Sequence, residues 1–419
     1  MNKVNQLTKK EECEEDEYRA LYEYIRDKLR EEFCDRCLRV SIMRKIPTIE
    51  ARSRSTARGY KEYLLKNENF ERYFPNGTMT VFIVTWNKNS KDAPADITDL
   101  FLPQSVEYVP DLYAVGVQES ANINDRQWEI EIQRTIGPSH VLLHSCSLGV
   151  LNLDIYIRRD LIWFCSMPED DTHNTRTRCA NMLKTKGAIG ISFQLFGTTF
   201  LFMNSHFPAH ESCLAERIEE YEKIVTSLDL PRNLLPLKAR YNCEDVTGRF
   251  DCVFWFGDFN FRIEKPYMET IDLLKKENVN YLELLQYDQL DRSMKQNLVF
   301  KGFSEAAAIT FPPTYKYEVN ENRYDAALQR TPSYCDRVMY RMKRSGDIKC
   351  IQYKAVPQLK SSDHRPVYAL FEVNLNPGRN LKSLNAGRFN REVGLEAIKR
   401  QAKLISEQNK NETIECVIN

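Results

Sequence analysis

The 419-residue chain lacks net charge, because 59 Lys and Arg balance 59 Asp and Glu. A general nucleic-acid binder carries a basic excess, so that class is without its usual signature here, although a local basic pocket is left open. No apolar run is long enough to read as a membrane span. The nearest candidate, Gly187 to Ser205, carries no charge but is interrupted by Ser192, Gln194 and Gly197. Its polar residues alternate as in a half-buried strand, which predicts a hairpin turning near Gly197-Thr198. No hydrophobic leader opens the chain, and the 12 cysteines follow no regular spacing. Reduced thiols in a cytosolic protein are therefore expected, not a disulfide scaffold. Cys34 and Cys37 form a lone CxxC without a second pair at zinc-finger spacing, and are read as incidental helix cysteines. No internal repeat is visible.

Aromatic residues, by contrast, are plentiful. With 21 Tyr, 21 Phe and 4 Trp in a chain that is 42% apolar, a sizeable core is available and disorder of the whole chain is excluded. Residues 1–75 are densely charged. Tyr18, Leu21, Tyr22, Ile25, Leu29 and Phe33 recur there at helical spacing, which predicts an amphipathic helix over Glu11–Val40. A basic linker follows from Arg44 to Arg58. Residues 76–376 change texture to short apolar runs between turns, and residues 377–419 form a polar tail with a helix expected over Arg391–Ser406.

Strands are expected at Thr80–Thr85, Leu112–Val117, Leu151–Ile157, Ala188–Leu195, Thr199–Met203, Val253–Phe256, Arg337–Tyr340 and Val367–Val373. Helices are expected at Glu211–Leu228 and Tyr267–Leu285. Many strands with sparser helices predict two packed β-sheets flanked by helices, an α/β (α+β) sandwich. Several apolar runs finish in groups suited to metal, acid-base or phosphate chemistry: Trp86-Asn87, Gln118-Glu119, Ser205-His206 and Gly257-Asp258-Phe259-Asn260. Tyr334-Cys335-Asp336-Arg337 and Ser362-Asp363-His364-Arg365 precede two further strands. Such groups, distant in sequence, converge when they lie at the same end of neighbouring strands.

Six sets in this order resemble the inositol polyphosphate 5-phosphatases: Thr85-Trp86-Asn87, Gln118-Glu119, Ser205-His206, Gly257 to Arg262, Pro332 to Arg337 and Ser362 to Val367. That family belongs to the deoxyribonuclease I-like superfamily of metal-dependent phosphoesterases, and the similarity runs from about Leu64 to Asn376. Glu71 to Pro75, Arg158 to Cys165 and the terminal Cys416 resemble its type IV branch. The resemblance implies a four-layer sandwich and Mg²⁺-dependent removal of the 5-phosphate from phosphoinositides such as PI(3,4,5)P3, PI(4,5)P2 and PI(3,5)P2.

Mg²⁺ prefers oxygen ligands and keeps several waters. Glu119 is the first choice of ligand, Asn87 can add a carbonyl or hold a phosphate oxygen, and Asp363 can contribute through a water. His364 is the acid-base or phosphate-stabilising histidine. The resemblance pairs it with Asp336, which would raise its pKa and fix its tautomer. It also implies that Asp258 activates the attacking water, that Asn260 orients water or phosphate, and that His206 contacts the phosphate. The sequence does not choose the proton acceptor. Lys184, Lys186, Tyr315, Lys316 and Arg330 resemble the family's grip on the 4-phosphate. Two departures stand out: Leu328 sits where the family has a lysine, which removes a cation from that grip, and Ser90 replaces a glycine.

The last four residues, Cys416-Val417-Ile418-Asn419, read as a CaaX-like prenylation box. Phosphoinositide lipids, a membrane surface reached through the prenyl group and a prenyl-binding carrier are the expected partners; nucleic acid is not. The cytoplasmic face of membranes is the expected location, with cilium or Golgi suggested by resemblance alone. A nuclease of the same superfamily is disfavoured by the zero net charge and by the Lys184–Gly187 and Thr314–Tyr317 segments. A catalytically silent lipid-binding scaffold would not need the complete set of acidic and histidine groups.

Overall fold

The computed structural model describes residues 73–74, 76–123, 125–175, 185–233, 244–375, 384–385 and 387–418, with backbone alone for 408–418. The helix expected over Glu11–Val40, the basic linker and Lys184 fall outside the described residues. Contacts divide the chain into Ser55–Val393 and a second unit of Met1–Arg54 with Gly394–Asn419.

The larger unit holds strands β1 (Thr78–Asn87), β2 (Leu112–Gln118), β3 (His140–Leu148), β4 (Leu151–Arg158), β5 (Glu169–Asn174), β6 (Gly187–Leu195), β7 (Thr198–His206), β8 (Cys252–Asp258), β9 (Ser304–Glu305), β10 (Asp336–Met342), β11 (Ile348–Ala355) and β12 (Val367–Asn374). Its helices are α1 (Thr98–Phe101), α2 (Arg126–Ile136), α3 (Leu214–Ser227), α4 (Tyr267–Leu274), α5 (Tyr281–Leu285) and α6 (Gln289–Lys295). A polar helix, α7 (Arg391–Ile418), begins where expected and runs further than Ser406.

Two six-stranded sheets form, ordered β11-β12-β1-β2-β4-β3 and β5-β6-β7-β8-β10-β9. Each contains one parallel pair, β1 with β2 and β7 with β8, among antiparallel neighbours. The sheets pack face to face because alternate residues of their strands are apolar on the shared side. Val81 and Ile83 of β1, Phe200 and Phe202 of β7, and Phe254 and Phe256 of β8 all enter one buried cluster. Residues of opposite parity on β7 and β8 (Leu201, Met203, Val253 and Trp255) join a second cluster with Tyr221 and Ile224 of α3. On the first sheet Trp86 of β1 packs against Trp128 of α2, with ring centres 6.0 Å apart. This is the expected pair of sheets flanked by helices.

All eight expected strands are present. The hairpin forms as well: β6 and β7 pair from Gly187↔His206 to Leu195↔Thr198. Phe196 (φ 49) and Gly197 (φ 86) both occupy the left-handed region of a tight two-residue turn. One expectation fails. Tyr267–Leu285 is not a single helix: α4 ends at Leu274, and α5 begins only after Asn280, whose side chain accepts from the Leu282 N–H. The polar stretch between them, Lys275-Lys276-Glu277-Asn278-Val279-Asn280, gives the helix no apolar face to bury and supplies a strong cap instead.

Candidate active site

The strand registers assemble the site. On the second sheet His206 stands opposite Asp258 in the parallel ladder of β7 and β8, and Asp258 stands opposite Asp336 between β8 and β10. One row of neighbouring positions therefore carries His206, Asp258 and Asp336, each about one inter-strand spacing from the next. On the first sheet Asn87 and Gln118 are paired at the ends of β1 and β2. Across the sandwich Asn87 Nδ2 donates to Asp258 Oδ2 at 2.9 Å.

Glu119 follows Gln118 with φ 49, and Asn260 follows the β8 terminus with φ 55. Neither is glycine, so both backbones hold a conformation that only a well-determined surrounding structure sustains. The Ser90 N–H donates to the Glu119 carbonyl at 2.8 Å and fixes the Glu119 turn to the end of β1. The segment carrying His364 is fastened to the same strand. Ser362 Oγ donates to the Asn87 carbonyl at 2.6 Å, and Trp86 Nε1 donates to the His364 carbonyl at 3.2 Å.

The resulting cleft is dense in charge, and its central groups are buried. His364 Nδ1 lies 2.9 Å from Asp336 Oδ2, which also accepts from Thr314 Oγ1 at 2.7 Å. His364 Nε2 faces Asp258 Oδ2 at 3.9 Å. His206 Nε2 lies 3.3 Å from Asp258 Oδ2 and 3.9 Å from Glu119 Oε1. Burial by itself would lower the His364 pKa, but the carboxylates of Asp336 and Asp258 override it and hold it up at about 10. Burial opposes ionisation of Asp258, yet His364, His206 and Lys186 hold its carboxyl well below the usual range. Burial and the adjacent Lys186 push His206 down. Burial pushes the Asp336 carboxyl up, opposed by His364 and reinforced by Asp258. The site thus keeps an ionised Asp258 beside a protonated His364 and a neutral His206.

Beneath the cleft lies a polar floor. Gln118 Nε2 donates to Thr85 Oγ1 at 3.1 Å and to Asn204 Oδ1 at 2.7 Å, while Asn204 Nδ2 donates to the Asn152 carbonyl at 2.7 Å. Gln118 is therefore a support for Glu119. Ser205 points to the other side of its sheet, where its hydroxyl accepts from Trp255 Nε1 at 2.8 Å.

Asn87, Glu119, His206, Asp258, Asp336 and His364 come together, and Asn260 joins them because its N–H donates to Asp258 Oδ1 at 3.0 Å. The Asn260 side chain is committed elsewhere: its Nδ2 donates to the Phe207 carbonyl at 3.1 Å, and its Oδ1 accepts from Arg262. Tyr315 and Arg330 form a second group, with Arg330 Nη1 donating to the Tyr315 hydroxyl at 2.6 Å. The Tyr315 ring lies 4.5 Å from the His364 ring, and Arg262 lies 4.4 Å from the Tyr315 ring centre. Lys316 Nζ sits between Asp325 (3.5 Å) and Asp363 (3.7 Å). Lys186 stands with the other group, since its ammonium is hydrogen-bonded to His206 Nε2. Thr314 and Arg262 were not assigned roles from sequence; each lies inside a quoted motif, but a neutral hydroxyl and an arginine two residues past Asn260 give no directional signal there.

The residues fit a divalent cation. Carboxylate oxygens of Asp258 and Asp336 lie within 4.8 Å of one another. Asp336 Oδ1 is buried without a hydrogen-bond partner. A buried acceptor without a partner is costly, and a hard cation near it would relieve that cost.

A carboxylate-rich cleft with two histidines, at the strand ends of a double-sheet sandwich, defines the class of metal-dependent phosphoesterases. The profile of the Endonuclease/Exonuclease/phosphatase family 2 matches residues 84–370, and the chain belongs to that family. Divalent-metal dependence is general among its phosphatases. The chain is 46% identical over 368 residues to phosphatidylinositol polyphosphate 5-phosphatase type IV of Mus musculus, covering 86% of this chain and 56% of that relative. It is 31% identical over 338 residues to phosphatidylinositol 3,4,5-trisphosphate 5-phosphatase 1 of Homo sapiens, covering 74% of this chain and 27% of that one. The chain thus spans about half the length of the type IV relatives it matches. Among solved structures, the inositol polyphosphate 5-phosphatase domain of SPsynaptojanin, in complex with inositol (1,4)-bisphosphate and calcium ion, superposes with TM-score 0.60 at 27% identity, over 80% of this chain and 93% of that one. The resemblance to the 5-phosphatases therefore holds across the whole catalytic sandwich.

Proposed function

We propose that the chain hydrolyses the 5-phosphate of phosphoinositides such as PI(3,4,5)P3, PI(4,5)P2 and PI(3,5)P2, with Mg²⁺, at the cytoplasmic face of a membrane. The observation that carries this reading is the His206–Asp258–Asp336 row, faced by Asn87 and completed by Glu119 and His364. The names of the relatives support the substrate class. Glu119 and Asn87 would hold the ion, with Asp363 reaching it through a water. When bound, Mg²⁺ supplies Lewis-acid neutralisation of phosphate charge.

The remaining work falls to side chains of this chain. Asp258 stays ionised at neutral pH and accepts a hydrogen bond from the attacking water, directing its lone pair at phosphorus as the bond from phosphorus to the inositol 5-oxygen breaks, and the proton the water loses ends on that departing oxygen. His364, kept protonated by Asp336, donates to a phosphate oxygen as negative charge builds there. Thr314 holds Asp336 in the orientation this requires. His206 and Lys186 line the opposite wall, where an ammonium beside a neutral imidazole attracts the phosphate. Tyr315, Arg330 and Lys316 form the ring-side grip on the 4-phosphate, to which Lys184 belongs by sequence.

Prenylation at Cys416 would bring the enzyme to its lipid substrate. One chain anchors weakly, so a second membrane contact is required; a prenyl-binding carrier and delivery to cilium or Golgi membranes follow from the same reading. Nucleic acid is not a partner on this account. The test is to incubate the full chain with each lipid in vesicles, with Mg²⁺ or EDTA, and identify the product headgroup. Loss of the 5-phosphate alone, abolished by EDTA and restored by Mg²⁺, is expected. Lipid binding without release of phosphate would favour the silent scaffold, and cleavage of DNA in its place would favour the nuclease.

A further inference from the structure

The first sheet ends beside the cleft in two turns, one carrying Asn87 and the other Glu119. The ladder between β1 and β2 closes with the Lys88 N–H donating to the Gln118 carbonyl at 2.9 Å. Beyond it Asn89 (φ 48), Ser90 (φ 58) and Glu119 (φ 49) all take the left-handed conformation, and none is glycine. Such backbone relaxes unless its surroundings hold it. The residues that follow Asn87 and Glu119 reach towards α2. Lys88 Nζ lies 3.0 Å from Asp125 Oδ2, and Ser120 Oγ donates to the same oxygen at 2.6 Å. The other oxygen, Asp125 Oδ1, accepts from the Trp128 N–H at 3.3 Å and so caps α2. The Lys88 ammonium lies 4.6 Å from the centre of the Trp128 ring. Lys88 and Ser120 are each 1% exposed, and Asp125 is 6% exposed.

An ion pair this deep adds little net stability, because taking both charges out of water costs about as much as their attraction returns. What it adds is direction, since charge-assisted hydrogen bonds are short and hold their geometry. One carboxylate oxygen, fixed to the first turn of a helix, thus receives a bond from the residue after Asn87 and another from the residue after Glu119. On the reading that Asn87 and Glu119 hold the ion, we propose that Lys88, Asp125 and Ser120 are positioning residues. They set the separation and angle of the two strand ends, and with them the affinity of the site for a divalent cation. Their side chains end at α2, whereas Asn87 Nδ2 bonds Asp258 Oδ2 and Glu119 Oε1 faces His206 Nε2 at 3.9 Å in the cleft. The pair acts on the ion through the backbone of the two turns, as outer groups that orient metal ligands do.

The test uses the full chain with Ser120→Ala and with a double variant, Lys88→Met plus Asp125→Asn. The double variant removes both charges together, so neither is left buried alone, and Asn still caps α2. The probe is Mn²⁺, which shares the oxygen-ligand preference of Mg²⁺. Free Mn²⁺ is followed by its paramagnetic resonance signal without substrate, and Mg²⁺ is then added as competitor. The double variant is expected to raise both dissociation constants about tenfold, and Ser120→Ala to raise them by a smaller factor, with thermal unfolding close to that of the wild type. The Mg²⁺ concentration giving half-maximal phosphate release from PI(4,5)P2 should rise by the same factors. A purely structural role would lower the folded fraction and leave the affinity of the remainder unchanged. Wild-type affinity in either folded variant would therefore overturn the proposal, as would a wild type that binds no Mn²⁺. If the wild type binds Mn²⁺ but releases no phosphate, the phosphatase reading fails, and the dissociation constants alone still decide the positioning.

Discussion

Asp336 is buried between Thr314 and His364, and its charge is what sets the protonation of that histidine. Replacing it by Asn keeps the shape and removes the charge. The His364 acid form, present below its pKa and lost as pH rises through it, persists in the wild type to about 10. In Asp336→Asn that loss moves to lower pH, so kcat at pH 8 should fall by roughly 10²–10⁴. A kcat/KM profile from pH 6 to 10 checks this; a uniform loss with an unmoved alkaline limb would contradict it. Six of the central groups (Asn87, Glu119, His206, Asp258, Asp336 and His364) were legible in the sequence because each borders an apolar run and because the six sets together, in that order, resemble the motifs of the 5-phosphatases. Lys186 was legible as a cation, and the structure bonds it to His206. Thr314 carries no charge and announced nothing.

Strands announce themselves where their apolar residues alternate without interruption, and the expected ones did. The four that escaped notice have physical reasons, and in β3 the register shifts between Leu142 and His144, so its alternation breaks. β5 reads Glu-Asp-Asp-Thr-His-Asn and is a strand only because β6 offers it an edge to pair with. β11 contains a register shift between Cys350 and Gln352, so its alternation breaks midway and Ile351 is left 42% exposed. The two-residue β9 is too short to carry a pattern. At the end of β8, Gly257 has φ 148, and a Cβ there would lie 2.0 Å from the Ser205 carbonyl oxygen. Gly257→Ala must push β7 from β8 at the His206–Asp258 pair. Urea unfolding should show a loss of about 2–4 kcal/mol, accompanied by loss of activity in whatever protein remains folded. A variant of wild-type stability and rate would mean that the two strand ends need not approach so closely.

Among the described residues of the sandwich, His140 is one ionisable group whose burial links stability to pH away from the site. Burial pulls the His140 pKa from 6.5 down to about 4, the nearby Arg158 adds to this, and the hydrogen bond to the Pro110 carbonyl opposes it. The unfolded chain therefore takes up this proton first. The contribution is fully present above about pH 6.5 and fades as pH falls towards 4, to a total of about 3 kcal/mol. Urea unfolding at pH 7 and pH 4.5 should show a smaller acid loss for His140→Gln than for the wild type; equal losses would remove His140 from the account. The central claim is that one cleft, built where the two sheets end together, cleaves a phosphate ester. Phosphate release from PI(3,4,5)P3 and PI(4,5)P2 vesicles, compared between wild type and Asp258→Ala in Mg²⁺, tests it most directly. Release by the wild type with a loss of about 10³-fold or more in a variant of unchanged thermal stability is the result expected. A variant that releases phosphate at the wild-type rate would contradict it.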